Sequence, residues 1–125
     1  MDIATLAPRE KVALDRAPIE PLCRTLGADR AEVLVGNAMD EMAGWLSRSE
    51  RLCRDGNRGE LARVTRLVET VARKLGMDQL ATAAGRTATA AGEANDTTLA
   101  AVTARMQRLG SESLTAIWNL QGLSV

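Results

Sequence analysis

Arginine is the residue type in this sequence best suited to binding an anion, and it is concentrated in one stretch. Between Arg48 and Lys74, eight basic residues stand against four acidic ones. A guanidinium group offers several N–H donors to an anion and is always charged. Charge alone nevertheless favours the solvated surface of an ordinary helix, so a functional interpretation needs a further signal. The basic residues are Arg48, Arg51, Arg54, Arg58, Arg63, Arg66, Arg73 and Lys74.

The sequence has no histidine, and this absence excludes general-base catalysis, phosphoryl acceptance and zinc binding by an imidazole group. Imidazole is the commonest general base and metal ligand near neutral pH. Cys23 and Cys53 are too few for a structural zinc site, and we expect both to be reduced. The carboxylates are scattered, and no glycine motif for binding phosphate is present. The sequence therefore predicts no catalytic residue, no metal and no cofactor. An enzyme that uses carboxylates or cysteine is the third of three hypotheses, after two kinds of non-catalytic interaction protein.

Length and charge predict one soluble domain that does not bind nucleic acid. The chain has 125 residues, 16 basic and 16 acidic side chains, and two aromatic residues, Trp45 and Trp118. A chain of this size can bury a core of its own, but a net charge of zero gives no general attraction to nucleic acid. The first residues do not resemble an export signal, and no apolar run approaches the roughly 20 residues of a membrane span. We expect a cytoplasmic protein that does not enter the membrane.

Apolar residues recur at helical spacing over the whole body of the chain. All three prolines lie within the first 21 residues, and glycines or Asn95-Asp96 separate the later segments. The spacing predicts four helices with apolar stripes over residues 29–54, 58–75, 77–91 and 99–120. Short connections place successive helices antiparallel. We therefore predict an all-α, up-down-up-down four-helix bundle over residues 29–125, preceded by an arm and a short helix in residues 1–28.

The second predicted long helix has a well-defined orientation. Leu61, Val64 and Val68 form its apolar stripe, and Asn57 is its expected N-cap. Because successive residues turn by about 100°, Arg66 lies opposite that stripe and is expected to face solvent.

The segment 55–81 adds the further signal. It reads DGNRGELARVTRLVETVARKLGMDQLA, with a Gly turn at each end of the helix. This arrangement resembles the histidine phosphotransfer (HPt) domains of bacterial phosphorelays, in which an H-x-L-K-G motif lies between two such turns. Counting from Gly56 or from Gly76 aligns Arg66 with the phosphoacceptor histidine. Glu69 then takes the place of the motif's lysine and Thr70 the place of its glycine, so the motif itself is lost.

The resemblance, which covers roughly residues 32–120, implies a four-helix bundle that no longer transfers phosphate. Arginine cannot form the phosphoramidate that imidazole forms. What the resemblance leaves is a docking surface for a receiver domain or a histidine-kinase module. It comprises Gly59, Ala62, Arg63, Arg66, Glu69, Thr70 and Arg73. The alternative is an interaction bundle unrelated to phosphorelays, such as a homodimer formed through the exposed side of the helix that carries Trp118.

Overall fold

Every element in the described part of the chain is a helix. The computed structural model describes residues 19–123, with side chains to residue 117. The helices are α1 (Glu20–Leu26), α2 (Ala28–Arg54), α3 (Arg58–Lys74), α4 (Asp78–Glu93) and α5 (Asp96–Leu123). The all-α prediction is confirmed, and the four predicted long helices correspond to α2, α3, α4 and α5. The predicted arm before α1 and the side chain of Trp118 lie outside the described residues.

The four long helices surround a common core. Backbone contacts join α2 to α3, α3 to α4, α4 to α5 and α5 to α2, while α1 packs on α2. The predicted stripes supply the core, since Met42, Val68, Leu80 and Met106 are completely buried. Each of the four long helices hides its apolar side against two neighbours, which is the packing of a helical bundle.

Glycine determines where α2 and α3 end. Gly56 and Gly76 have φ angles of +73° and +76°, a backbone conformation that other residues rarely adopt. The following amides, those of Asn57 and Met77, donate to carbonyls five residues back at 3.0 and 2.8 Å. This is the Schellman arrangement of a helix C-terminus. Asn57 then begins α3 as predicted, because its side-chain oxygen accepts from the Glu60 amide at 3.4 Å.

Small side chains let α4 lie close to its neighbours. Its buried side includes Leu80, Ala84, Ala88 and Ala91, which are the residues of the thin stripe seen in the sequence. Thr87 is also fully buried, and its hydroxyl donates to its own helix at the Ala83 carbonyl, at 2.9 Å. The close approach brings α3 and α4 together along the surface that carries the arginines.

Candidate functional site

The predicted docking residues lie along one stripe of α3. Two of them, Ala62 and Glu69, are half-buried, and the other five are exposed. Arg66 stands midway along the helix with 54% of its side chain exposed, whereas Val68 on the other side is completely buried. The predicted orientation of α3 is therefore confirmed. The stripe comprises Gly59, Ala62, Arg63, Arg66, Glu69, Thr70 and Arg73.

Near the start of the stripe, Glu60 accepts hydrogen bonds from two arginines. Arg63 donates to the Glu60 Oε1 atom through Nε at 2.8 Å and through Nη2, and Arg48 of α2 reaches the same oxygen at 3.3 Å. The hydrogen bond from Arg63 lowers the pKa of the Glu60 carboxyl, and the positive charges of Arg63 and Arg48 lower it further. The same hydrogen bond raises the pKa of Arg63. Both side chains therefore stay charged and hold one another on the helix surface.

Farther along, Glu69 lies between the two remaining arginines of the stripe. Its Oε1 atom accepts from Arg66 Nη1 at 2.9 Å, and its Oε2 atom accepts from Arg73 Nη2 at 3.4 Å. Arg66 also reaches α4, where its Nη2 atom donates to the Thr89 hydroxyl at 3.4 Å. The side chain of Glu69 is 23% exposed, while those of Arg66 and Arg73 are 54% and 60% exposed. The carboxylate is thus partly buried between two guanidinium groups that are exposed to solvent.

Gly85 on α4 makes room for this carboxylate. A Cβ atom at position 85 would lie 3.1 Å from Glu69 Cδ and would collide with the Oε2 atom. Gly85 lies inside a helix, where glycine costs about 1 kcal/mol relative to alanine. The helical glycines Gly36, Gly44 and Gly92 meet nothing within 4 Å, so a glycine inside a helix was no specific signal for this contact. Gly85, Arg86 and Thr89 were not predicted as site residues, but they line the groove between α3 and α4 together with Arg66 and Arg73.

Arg58 belongs to the arginine cluster of the sequence, but in the structure its side chain binds to the end of α4. Its Nη1 atom donates to the Ala91 and Ala94 carbonyls at 3.2 and 2.7 Å, and its Nη2 atom donates to Asp96 Oδ1 at 2.6 Å. The last carbonyls of a helix have no partner within the helix and carry partial negative charge. Arg58 therefore caps the C-terminus of α4 and ties it to the start of α3 and α5.

Replacement of this cap is expected to destabilise the protein. Arg58→Ala should lower the free energy of unfolding by about 2 kcal/mol, because several charge-assisted hydrogen bonds to α4 are lost. Arg54→Ala, at an exposed arginine of α2, should change it by less than about 0.5 kcal/mol. Urea denaturation followed by circular dichroism measures both values, and equal losses would refute the capping role of Arg58.

The groove offers guanidinium N–H donors, and the hydroxyls of Thr82, Thr89 and Thr98 also line it. The Thr70 hydroxyl is engaged with its own helix, since it donates to the Arg66 carbonyl at 3.0 Å. Cys53 lies elsewhere, in an open groove between α2 and α5 together with Glu50 and Thr103. Within residues 19–123, no group of three or more Cys, Asp or Glu side chains is arranged to hold a metal ion. The three guanidinium groups of the α3–α4 groove, those of Arg66, Arg73 and Arg86, can donate hydrogen bonds to an anionic group.

Comparisons with protein-family models, with curated proteins and with solved structures found no match. Among the helices of the described region, none is both long and apolar enough to cross a membrane.

Proposed function

We propose that this chain is a non-catalytic HPt-like protein of bacterial phosphorelay signalling. In this proposal the stripe on α3 docks a receiver domain or a histidine-kinase module without accepting phosphate. The protein would block or scaffold a phosphorelay and has no enzymatic activity of its own.

The position of Arg66 carries the proposal. It lies ten residues from both Gly56 and Gly76, the two turns on which the resemblance is based, and both glycines have positive φ angles at the end of a helix. Its exposed side chain stands above the low surface left by Gly59 and Ala62. A partner that recognises the surface of a phosphotransfer helix would therefore meet a guanidinium group where it expects an imidazole.

The finer arrangement of the bundle belongs to the same proposal. Asp55–Asn57 and Leu75–Met77 are the residues between α2, α3 and α4, and connections this short favour antiparallel neighbours. The ring of contacts from α2 to α5 and back to α2 agrees with an up-down-up-down order. In that order α3 and α4 present one continuous surface to a partner.

Binding without labelling tests the proposal. A panel of receiver domains from the host genome is titrated against the protein by calorimetry, and phosphorylated receivers are mixed with it in a labelling assay. We expect at least one receiver to bind and none to transfer its phosphoryl group. Arg66→Asp should weaken that binding at least about tenfold, because it reverses charge at the centre of the docking surface.

Arg54→Asp is the matched control, since it makes the same charge change at an exposed arginine of α2. It should leave the affinity within about twofold. Stoichiometric labelling of the native protein, or equal weakening by both variants, would contradict the proposal.

The second candidate is an interaction bundle unrelated to phosphorelays, such as a homodimer. Exposed apolar residues on α2 favour it, since Val33 and Leu34 are 64% and 47% exposed. Val33 also lines a groove with Met39 of α2 and Leu114 of α5. The predicted homodimer surface around Trp118 lies outside the described side chains. A receiver panel in which nothing binds would favour this candidate.

A further inference from the structure

The groove between α3 and α4 already holds one anionic group, and that group belongs to the chain itself. The groove has a volume of about 570 Å³. Glu69 lies within it, bound by Arg66 at 2.9 Å and by Arg73 at 3.4 Å. Because Gly85 has no side chain, the carboxylate fits against the backbone of α4. The two arginines are thus arranged around a carboxylate before any partner arrives.

These arginines keep donors for a second ligand. A guanidinium group has five N–H donors, and Arg73 is bonded to Glu69 through Nη2 alone. Both arginine side chains are more than half exposed, whereas Glu69 is 23% exposed. Each of these ion pairs includes an arginine that is more than half exposed, and such pairs are weak, so an external carboxylate can replace the internal one at small cost.

The charges around the groove select an acidic partner. Three guanidinium groups and two carboxylates line it, and one of those carboxylates is Glu69 itself. Arg86 is exposed on α4 and extends the positive charge beyond the Arg66–Arg73 pair. Removing Glu69 from between the arginines therefore leaves a positively charged site of the size of a carboxylate. The groove residues are Arg66, Arg73, Arg86, Glu69 and Glu93.

We propose that an acidic side chain of a protein partner binds between Arg66 and Arg73 and displaces Glu69, which acts as a built-in competitor. This inference rests on the proposed function for the identity of the partner, and it adds the chemistry of the partner's surface. When no partner is bound, Glu69 keeps the arginines in position. When an acidic ligand binds, Glu69 competes with it and weakens its binding. Only a partner with several matching contacts then binds tightly.

Titration of the isotope-labelled full-length protein with a hexaglutamate peptide tests this inference. NMR shift changes should centre on the amides of Gly85 and Thr89. Glu69→Gln should tighten peptide binding about fivefold, because the competitor loses its charge but keeps its size. The double variant Arg66→Gln/Arg73→Gln should weaken binding by at least as much.

Glu60→Gln is the matched control. Glu60 is also on α3, accepts hydrogen bonds from two arginines and carries the same charge, but it does not line the groove. Replacement of the Glu60 carboxylate should change the affinity for the hexaglutamate peptide by less than about twofold. If Glu60→Gln tightens binding as much as Glu69→Gln, or if Glu69→Gln has no effect, the inference is wrong.

The receiver panel separates this inference from the proposed function. If receivers bind but Glu69→Gln strengthens neither receiver nor peptide binding, the displacement of Glu69 is refuted and the proposed function stands. If the peptide follows the expected pattern while no receiver binds, the groove is an acidic-peptide site and the phosphorelay proposal fails.

Discussion

Val68→Asp is expected to unfold the protein or to lower its melting temperature by about 15 °C or more. Val68 is completely buried at the centre of α3 and packs in the core formed with α2, α4 and α5. An uncompensated carboxylate there costs several kcal/mol, which is a large part of the total stability of a small domain. Each kcal/mol lost shifts the melting temperature by roughly 4 °C at this size. Circular dichroism during heating measures the effect.

Two controls separate burial of charge from loss of size and from local helix effects. Val68→Ala removes two methyl groups and should cost about 2 kcal/mol. Arg66→Ala changes an exposed residue two positions away and should stay within about 0.5 kcal/mol. Equal melting temperatures for Val68→Asp and Arg66→Ala would overturn the orientation of α3.

The helices and their buried sides were predictable because the interactions that determine them are local. Apolar spacing determined which side of each helix is buried, and Gly56, Gly76 and Asn57 marked helix ends through their own backbone and side-chain chemistry. Buried threonines were harder to predict from a pattern of apolar residues. Thr65 is fully buried, yet its hydroxyl donates to the Leu61 carbonyl at 2.8 Å, so its polar group is satisfied inside its own helix.

Only half of the candidate site was predictable, for a physical reason. The stripe on α3 follows from helical geometry, and it includes Arg66 and Glu69. Its partners on α4 depend on which side of α4 faces α3, which is decided by packing between helices. Arg58 shows the same limit, because its role comes from the carbonyl of Ala94, 36 residues away in the chain. Sequence placed Arg58 in an arginine cluster, and tertiary packing made it a helix cap.

Introduction of the complete HPt motif is expected to produce the largest functional change. The triple variant Arg66→His/Glu69→Lys/Thr70→Gly places an imidazole at the centre of the docking surface. It also adds a cation beside the imidazole and removes the neighbouring threonine side chain. The space above Gly85, now filled by the Glu69 carboxylate, leaves room for the stem of the lysine. A receiver that binds the native protein should then transfer its phosphoryl group to the variant, whereas under the proposed function the native protein accepts none.

The variant should remain folded, so a negative result would be informative. Thr70→Gly removes one hydrogen bond to the Arg66 carbonyl and costs a few tenths of a kcal/mol in helix propensity, too little to unfold a domain with a common core. Arg73→His is the matched control, because it puts an imidazole on the same stripe at a position that the motif does not use. It should gain no label. If no receiver from the host genome binds the native protein or labels the triple variant, while both give native circular dichroism, the phosphorelay proposal must be abandoned for the interaction bundle.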